Sequence, residues 1–321
     1  KASGSSVKSE FIGGLTTFLT MAYIIFVNPS ILSETGMDYG AVFVATCLAA
    51  AIGCLIMGLW ANYPVALAPG MGLNAFFTYT VVFSMGYTWQ TALGAVFFSG
   101  CLFFLLSAFR VREWIIKSIP TTLRLAIAAG IGAFLALIGL QNANIIVAND
   151  ATMVSLGSLS EPSVLLAAAG FFLIIGLVAR QVQGAALISI LLVTLIAWAT
   201  GLVEYNGIVS APPSLLPTFM QMDLAAAFDI GMLSVIFAFL FVDLFDTSGT
   251  LLAVAQKAGL AKANGEMPRL NKALMADSTA TVAGSILGTS TTTSYIESAA
   301  GVASGGKTGL AAVVVGILFL L

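Results

Sequence analysis

Residues Tyr63–Phe83 read YPVALAPGMGLNAFFTYTVVF. The segment is long and apolar enough to cross a bilayer, which takes roughly 20 mostly apolar residues. It is nevertheless a poor continuous helix. Pro64, Pro69, Gly70 and Gly72 crowd its first half, and proline interrupts the helical hydrogen-bond ladder. Irregular backbone at membrane depth survives only where protein covers it or where it lines a wet cavity. A second interrupted segment, GTSTTTSYIESAAGVASGG, lies at Gly288–Gly306. Its Thr and Ser run favours extended backbone, with helix expected to resume near Tyr295. A corresponding pair of broken spans is the best sequence pointer to a transporter binding site.

The surrounding composition supports a membrane setting. Of 321 residues, 59% are hydrophobic and only 8% charged, whereas soluble domains carry about a quarter charged residues. Thirty-two glycines fit the same class, because glycine lets membrane helices approach closely. The net charge of −2 comes with no basic patch and no RNA-binding motif, so nucleic acid is not an expected partner. Cys47, Cys54 and Cys101 lie in apolar runs and read as packing residues. There is no histidine, hence no histidine metal site and no histidine base, and no cofactor is called for. The opening KASGSSVKSE lacks the apolar centre of a signal peptide.

Spans are expected near 11–27, 41–61, 65–83, 91–109, 122–141, 163–180, 184–203 and 230–255, with shorter ones near 274–288 and 294–304 and a last one from about 308. The chain stops at GILFLL within that last run, the pattern expected of a piece of a longer protein. Alternating sides from a cytoplasmic N-terminus puts all 12 Lys and Arg residues on one face. They are Lys1, Lys8, Arg110, Arg112, Lys117, Arg124, Arg180, Lys257, Lys262, Arg269, Lys272 and Lys307. The opposite loops hold Glu34, Asp38, Asp150, Glu161, Glu204, Asp223 and Asp229. Basic residues favour the cytoplasmic side, so the layout predicts an integral protein of the plasma (inner) membrane with its N-terminus inside.

The broken third and tenth spans stand seven apart. That spacing predicts an all-α polytopic protein built as an inverted repeat of seven plus seven spans, with the end of the second repeat missing. Residues 1–10 form a cytoplasmic tail, 11–203 the first repeat, 204–229 an extracellular linker and 230–321 the second repeat, spans eight to eleven only.

The acids within these spans carry the chemistry. FVDLFDTSGT (Phe241–Thr250) places Asp243 and Asp246 on the eighth span. Counted from Ile230 at 1.5 Å per residue they lie about 20–24 Å along it, near mid-depth. Three-residue spacing puts them roughly on one face. Glu297 follows the break in the tenth span, at the start of a half-helix, where amide groups can bind an acceptor. Charges at membrane depth are costly and usually functional. No Lys or Arg in this layout is deep enough to neutralise these acids, so they must be protonated, hydrated or substrate-bound part of the time. Asn74, beside the third-span break, can both donate and accept. Phe76 and Phe77 read as core or lipid-facing, with one of them able to stack on a planar ligand. Asp277 falls near the end of the ninth span, where it would be solvated.

FIGGLTTFLTMAYIIFVNPSIL, PGMGLNAFFTYTVV, FVDLFDTSGTL and GTSTTTSYIESAAGVASGGKTGL together resemble the AzgA-like adenine/guanine/hypoxanthine permeases of the nucleobase–cation symporter group, which includes uracil and xanthine permeases. The match runs from about Glu10 to the end of the chain. The resemblance implies a core of spans one to four and eight to eleven, a gate that includes spans five to seven, and a short strand in each of spans three and ten. A purine would sit between those strands. It places the family's eighth-span acid on Asp246, its tenth-span acid on Glu297, and its third-span glycine and asparagine on Gly72 and Asn74. Thr293 and Ser294 of the tenth-span strand join the expected substrate site. Thr247 stands where uracil permeases carry a histidine, so a mechanism through that histidine does not apply.

The expected activity is alternating-access uptake of a purine nucleobase with a proton, a carrier's task and not an enzyme's. Glu297 would accept from purine N–H groups and Asp246 would take the proton, with Glu297 and Asp243 sharing in the proton coupling. A homodimer is one assembly compatible with this reading. The competing readings are an anion transporter or channel of the same architecture, disfavoured by two acids, and an intramembrane aspartyl protease. The protease also needs two acids, but its Gly-x-Gly-Asp motif is absent and Asp246 is followed by TSG.

Overall fold

The computed structural model describes residues 5–109, 121–150, 152–182, 184–203, 211–260 and 267–321. Lys1, Arg110, Arg112, Lys117, Glu204 and Lys262, used in the charge layout above, lie outside the described residues. The chain divides into two compact units, one combining residues 1–125 with 212–321 and the other comprising 126–211.

In the larger unit the first span is two helices, α1 (Val7–Met21) and α2 (Ile24–Ser33). α1 begins inside the stretch expected to be tail. Ser6 explains this: its Oγ accepts from Ser9 N, while Ser9 Oγ accepts from Ser6 N, a reciprocal cap that starts a helix. α3 (Tyr39–Ile56) forms the second span and widens into a π turn over Met57–Ala61. The third span is broken as its prolines predict. It consists of strand β1 (Leu67–Pro69), the short helix α4 (Met71–Ala75) and a wide helical segment over Phe76–Ser84. α5 (Trp89–Ala108) is the fourth span.

The same unit resumes with α9 (Ile230–Lys257) and α10 (Leu270–Leu287). Three helices of the smaller unit, described below, come before these in the chain. The tenth span is strand β4 (Thr292–Ser294) and the six-residue helix α11 (Ser298–Ala303); α12 (Gly309–Leu318) closes the chain. α10 starts four residues earlier than expected. Its polar face is covered by protein, with Asp277, Ser278, Thr281 and Ser285 fully buried.

β1 and β4 pair antiparallel, Leu67 opposite Ser294, Ala68 opposite Thr293 and Pro69 opposite Thr292. The pairing continues through Gly70 N to Thr291 O (3.0 Å) and Tyr295 N to Ala66 O (2.9 Å). A two-stranded ribbon has two open edges, and buried amides left unpaired cost about 1–3 kcal/mol each. Side chains close these edges. Ala66 N donates to Ser298 Oγ (3.0 Å), Leu67 N to Cys54 Sγ (3.1 Å), and Thr281 Oγ1 donates to Thr292 O (2.9 Å). Cys54 is therefore more than packing. Around the ribbon lies an apolar core of Ala50, Cys54, Leu67, Ala68, Leu251, Val254, Ala276 and Ala280. Gly53 permits the close approach of α3, α10 and β1: a Cβ there would stand 2.9 Å from the Cβ atoms of both Ala280 and Leu67.

The smaller unit contains most of α6 (Thr121–Asn142), together with α7 (Pro162–Ala179) and α8 (Ala185–Ala199). Ser189 Oγ of α8 donates to Gly170 O of α7 (2.9 Å). Between α6 and α7 lies a hairpin that the all-α expectation lacked, β2 (Ile146–Asn149) against β3 (Met153–Leu156). β-Branched Ile146, Val147 and Val154 favour strand, and Asn149 Oδ1 caps the turn by accepting from Thr152 N (3.1 Å).

Among the described residues, five helical stretches are long and apolar enough to cross a membrane: Val7–Ser33, Tyr39–Ala61, Trp89–Ala108, Pro162–Ala179 and Ile230–Lys257.

One buried acid has a structural task. Glu10 of α1 is 2% exposed, and its carboxylate accepts from Lys307 N (3.1 and 3.2 Å) and Thr308 N (3.2 Å) at the start of α12. Replacing Glu10 by Ala strands these amides. The expected loss of stability is about 1–3 kcal/mol, read as a lower unfolding temperature of the detergent-solubilised protein. An unchanged midpoint would contradict the capping role.

Candidate functional site

The ribbon brings the predicted residues of the third, eighth and tenth spans into one region of the larger unit. Asp246 is on α9 with its side chain exposed, and its Oδ2 accepts from the hydroxyl of Thr293 on β4 (3.4 Å). Glu297 is half-buried at the entry of α11, four residues beyond Thr293. The first amides of α11 do not point free to a ligand. Ser298, Ala299 and Ala300 N donate to the carbonyls of Tyr295, Ile296 and Glu297 in tight turns. The Glu297 side chain itself is the acceptor at this end of the site.

Glu297 Oε1 accepts from the hydroxyl of Tyr23 (2.7 Å). Tyr23 stands in the gap between α1 and α2, and sequence reasoning missed it because that gap depends on tertiary packing. Tyr295 Oη donates to Pro69 O (2.5 Å) and ties the entry of α11 to the end of β1.

Behind β4 lies a second, fully buried group. Asp243 and Asp277 are both 0% exposed, so Asp277 is not at a solvated span end. The Thr247 hydroxyl lies 3.2 Å from Asp243 Oδ1 and 3.0 Å from Asp277 Oδ1. Ser294 Oγ donates to Asp277 Oδ1 (3.0 Å). Neighbouring residues of β4 thus face different acids, Thr293 toward Asp246 and Ser294 toward Asp277, as the alternation of a strand requires. Spacing put Asp243 and Asp246 together; the structure separates them, one buried and one exposed. Among the described residues, no group of three or more Asp, Glu and Cys side chains is arranged to hold a metal ion.

Asn74 is fully buried and committed to protein. Its Nδ2 donates to Asn28 Oδ1 (2.5 Å), and its Oδ1 accepts from Ser290 Oγ. Asn28 Nδ2 in turn donates to Thr46 Oγ1 (2.6 Å) and Thr289 Oγ1 (2.8 Å). Four spans, the first, second, third and tenth, are joined by this chain of amides and hydroxyls. Gly72, half-buried, lies in the first turn of α4. Phe76 packs edge-to-face on Phe239 of α9, centroids 5.1 Å apart.

A model described as "Permease family" matches residues 8–321. The Adenine permease AdeP of Escherichia coli (strain K12) is 55% identical over 318 residues, covering 99% of this chain and 72% of that protein. The Guanine/hypoxanthine permease PbuG of Bacillus subtilis (strain 168) is 50% identical over 330 residues, covering 99% of this chain and 75% of that protein. Among solved structures, the transmembrane domain of a cyanobacterium bicarbonate transporter, BicA, superposes with a TM-score of 0.72 at 15% identity, covering 98% of this chain and 81% of that one. At that identity the likeness concerns the fold alone.

Asn74→Ala leaves Asn28 Oδ1 and Ser290 Oγ without their partner. It is expected to cost about 1–3 kcal/mol, seen as earlier heat-induced aggregation of the solubilised protein. A variant as stable as the parent would show that the network bears no load.

Proposed function

Because the chain belongs to the Permease family, an integral membrane family of carriers and not enzymes, we propose that it takes up purine nucleobases, adenine, guanine or hypoxanthine, together with protons. The observation that carries this reading is the placement of two acids around one ribbon: Asp246 bonded to Thr293 of β4, and Glu297 at the strand's exit. Relatives named for adenine and for guanine/hypoxanthine support the substrate class.

A purine presents ring N–H donors, ring-nitrogen acceptors and a flat π-face. Glu297 accepts from the N–H edge. Asp246 takes up the proton from outside, and its protonated carboxyl can then donate as well as accept. Thr293 lines the strand between the acids, while Ser294, turned to Asp277, holds the strand from behind; Gly72 leaves room at the start of α4 and Phe76 covers the ring face. Asn74 and Asp243 act from behind, through the spans they join. The energetic logic is that an empty charged site is expensive to move through the barrier and a loaded neutral one is cheap. The carboxylates disfavour an anion substrate.

The unit holding α1–α5 and α9–α12 supports reading spans one to four and eight to eleven as the core, and α6–α8 as part of the gate. The matched breaks in the third and tenth spans support a seven-plus-seven inverted repeat. The N-terminus faces the cytoplasm of the inner membrane, and the carrier acts alone or as a homodimer.

Uptake of labelled adenine, guanine, hypoxanthine and uracil by cells expressing the protein, with and without a proton gradient, tests the proposal. Purine accumulation that collapses with the gradient is expected. Asp246→Asn should abolish gradient-driven accumulation, and intact coupling in that variant would remove Asp246 from the role. Glu297→Gln should raise the KM for purine by about 10- to 150-fold, the value of one hydrogen bond to a charged group. Unchanged purine binding in that variant would sink the recognition role.

A further inference from the structure

We infer that Tyr23 is a positioning residue for purine recognition, clamping one carboxylate oxygen of Glu297 so that the other faces the base. The inference rests on Glu297 being the purine acceptor proposed above.

Three observations lead to it. Tyr23 has a fixed root. It lies between α1 and α2 with helical backbone, its carbonyl accepts from Phe26 N (3.1 Å) and Val27 N (3.0 Å), and its neighbours Met21, Ala22 and Ile24 are at most 4% exposed. Its hydroxyl reaches from the first span to the tenth and donates to Glu297 Oε1 at 2.7 Å. The bond engages Oε1 alone, and a carboxylate accepts at two oxygens. The tyrosine oxygen also retains acceptor capacity after donating. Tyr23 and Glu297 therefore present adjoining acceptors, a match for a ring edge that carries neighbouring N–H groups.

A glutamate beside a broken helix has several staggered side-chain conformers, and ordering it when substrate arrives costs entropy. Tyr23 makes that selection in advance. A binding group held in place by its supporting partners recognises better than one left loose. Because the donor comes from another span, the acceptor geometry also depends on how the first span sits against the tenth within this unit.

Tyr23→Phe keeps the ring and removes the bond. In cells making equal amounts of membrane-inserted protein, the KM for purine is expected to rise by about 5- to 50-fold with Vmax unchanged. In a Glu297→Gln background the same substitution should add little, because the clamped group is gone. An unchanged KM, a lowered KM (Tyr23 competing with the base) or full additivity with Glu297→Gln would each overturn the inference. If Glu297→Gln itself leaves purine KM normal, the recognition reading has failed. If it impairs binding and Tyr23→Phe does not, only the present inference falls. Should Tyr23→Phe not reach the membrane, Tyr23→His and Tyr23→Leu decide. The histidine keeps a ring N–H donor and should hold KM nearer the parent value; the reverse order would overturn the clamp.

Discussion

The structure depends on one constraint, that backbone amides at membrane depth must all find partners. A continuous helix meets it within itself. The third and tenth spans give up that solution and meet it by pairing with each other over three residues. What surrounds the ribbon follows from this choice. Cys54, Thr281 and Ser298 close its edges. Gly53 lets α3 and α10 come close enough to cover it. The amide–hydroxyl chain from Asn28 through Asn74 to Ser290 binds the spans on either side. In return the chain gains hydroxyl side chains, Thr293 and Ser294, placed against the acids of α9 and α10.

The ribbon also sorts the acids. A strand has two faces, and β4 turns one toward Asp246 and the other toward the buried Asp243–Thr247–Asp277 group. A bilayer-embedded carboxyl is tolerable when protein hydroxyls surround it, and Thr247, Thr293 and Ser294 provide these. Serine and threonine are well suited to the purpose, being small enough for close helix packing and able to donate and accept together.

How legible all this was in the sequence depended on the range of each cause. The broken spans were readable because Pro64, Pro69, Gly70 and the Thr289–Thr293 run act locally on the backbone. The long spans were readable from apolar length, and Asp246 and Glu297 from their cost in lipid. The partners of those acids were not. Tyr23 meets Glu297 across 274 residues, and nothing in AYIIFVNP announces that its tyrosine points there. Asp277 looked like a span-end residue because α10 is polar along one face, and only the fold shows that face covered. Spacing suggested that Asp243 and Asp246 act together, yet the turn of the helix and the strand beside it divide them. The hairpin at Ile146–Leu156 was not legible because its two four-residue strands are too short to stand out between long apolar spans.

The β1–β4 pair has a consequence in time. Tyr295 and Pro69, hydrogen-bonded in the finished protein, are 226 residues apart in the chain. At roughly 5–20 residues per second, synthesis separates them by roughly 10–45 s. During that interval the first strand has entered the membrane region without its mate, its amides unmatched where lipid cannot serve them. Something other than the fold must shelter it, whether water, the insertion machinery or the early helices. The later half of the candidate site thus completes a surface that has been waiting since the third span emerged.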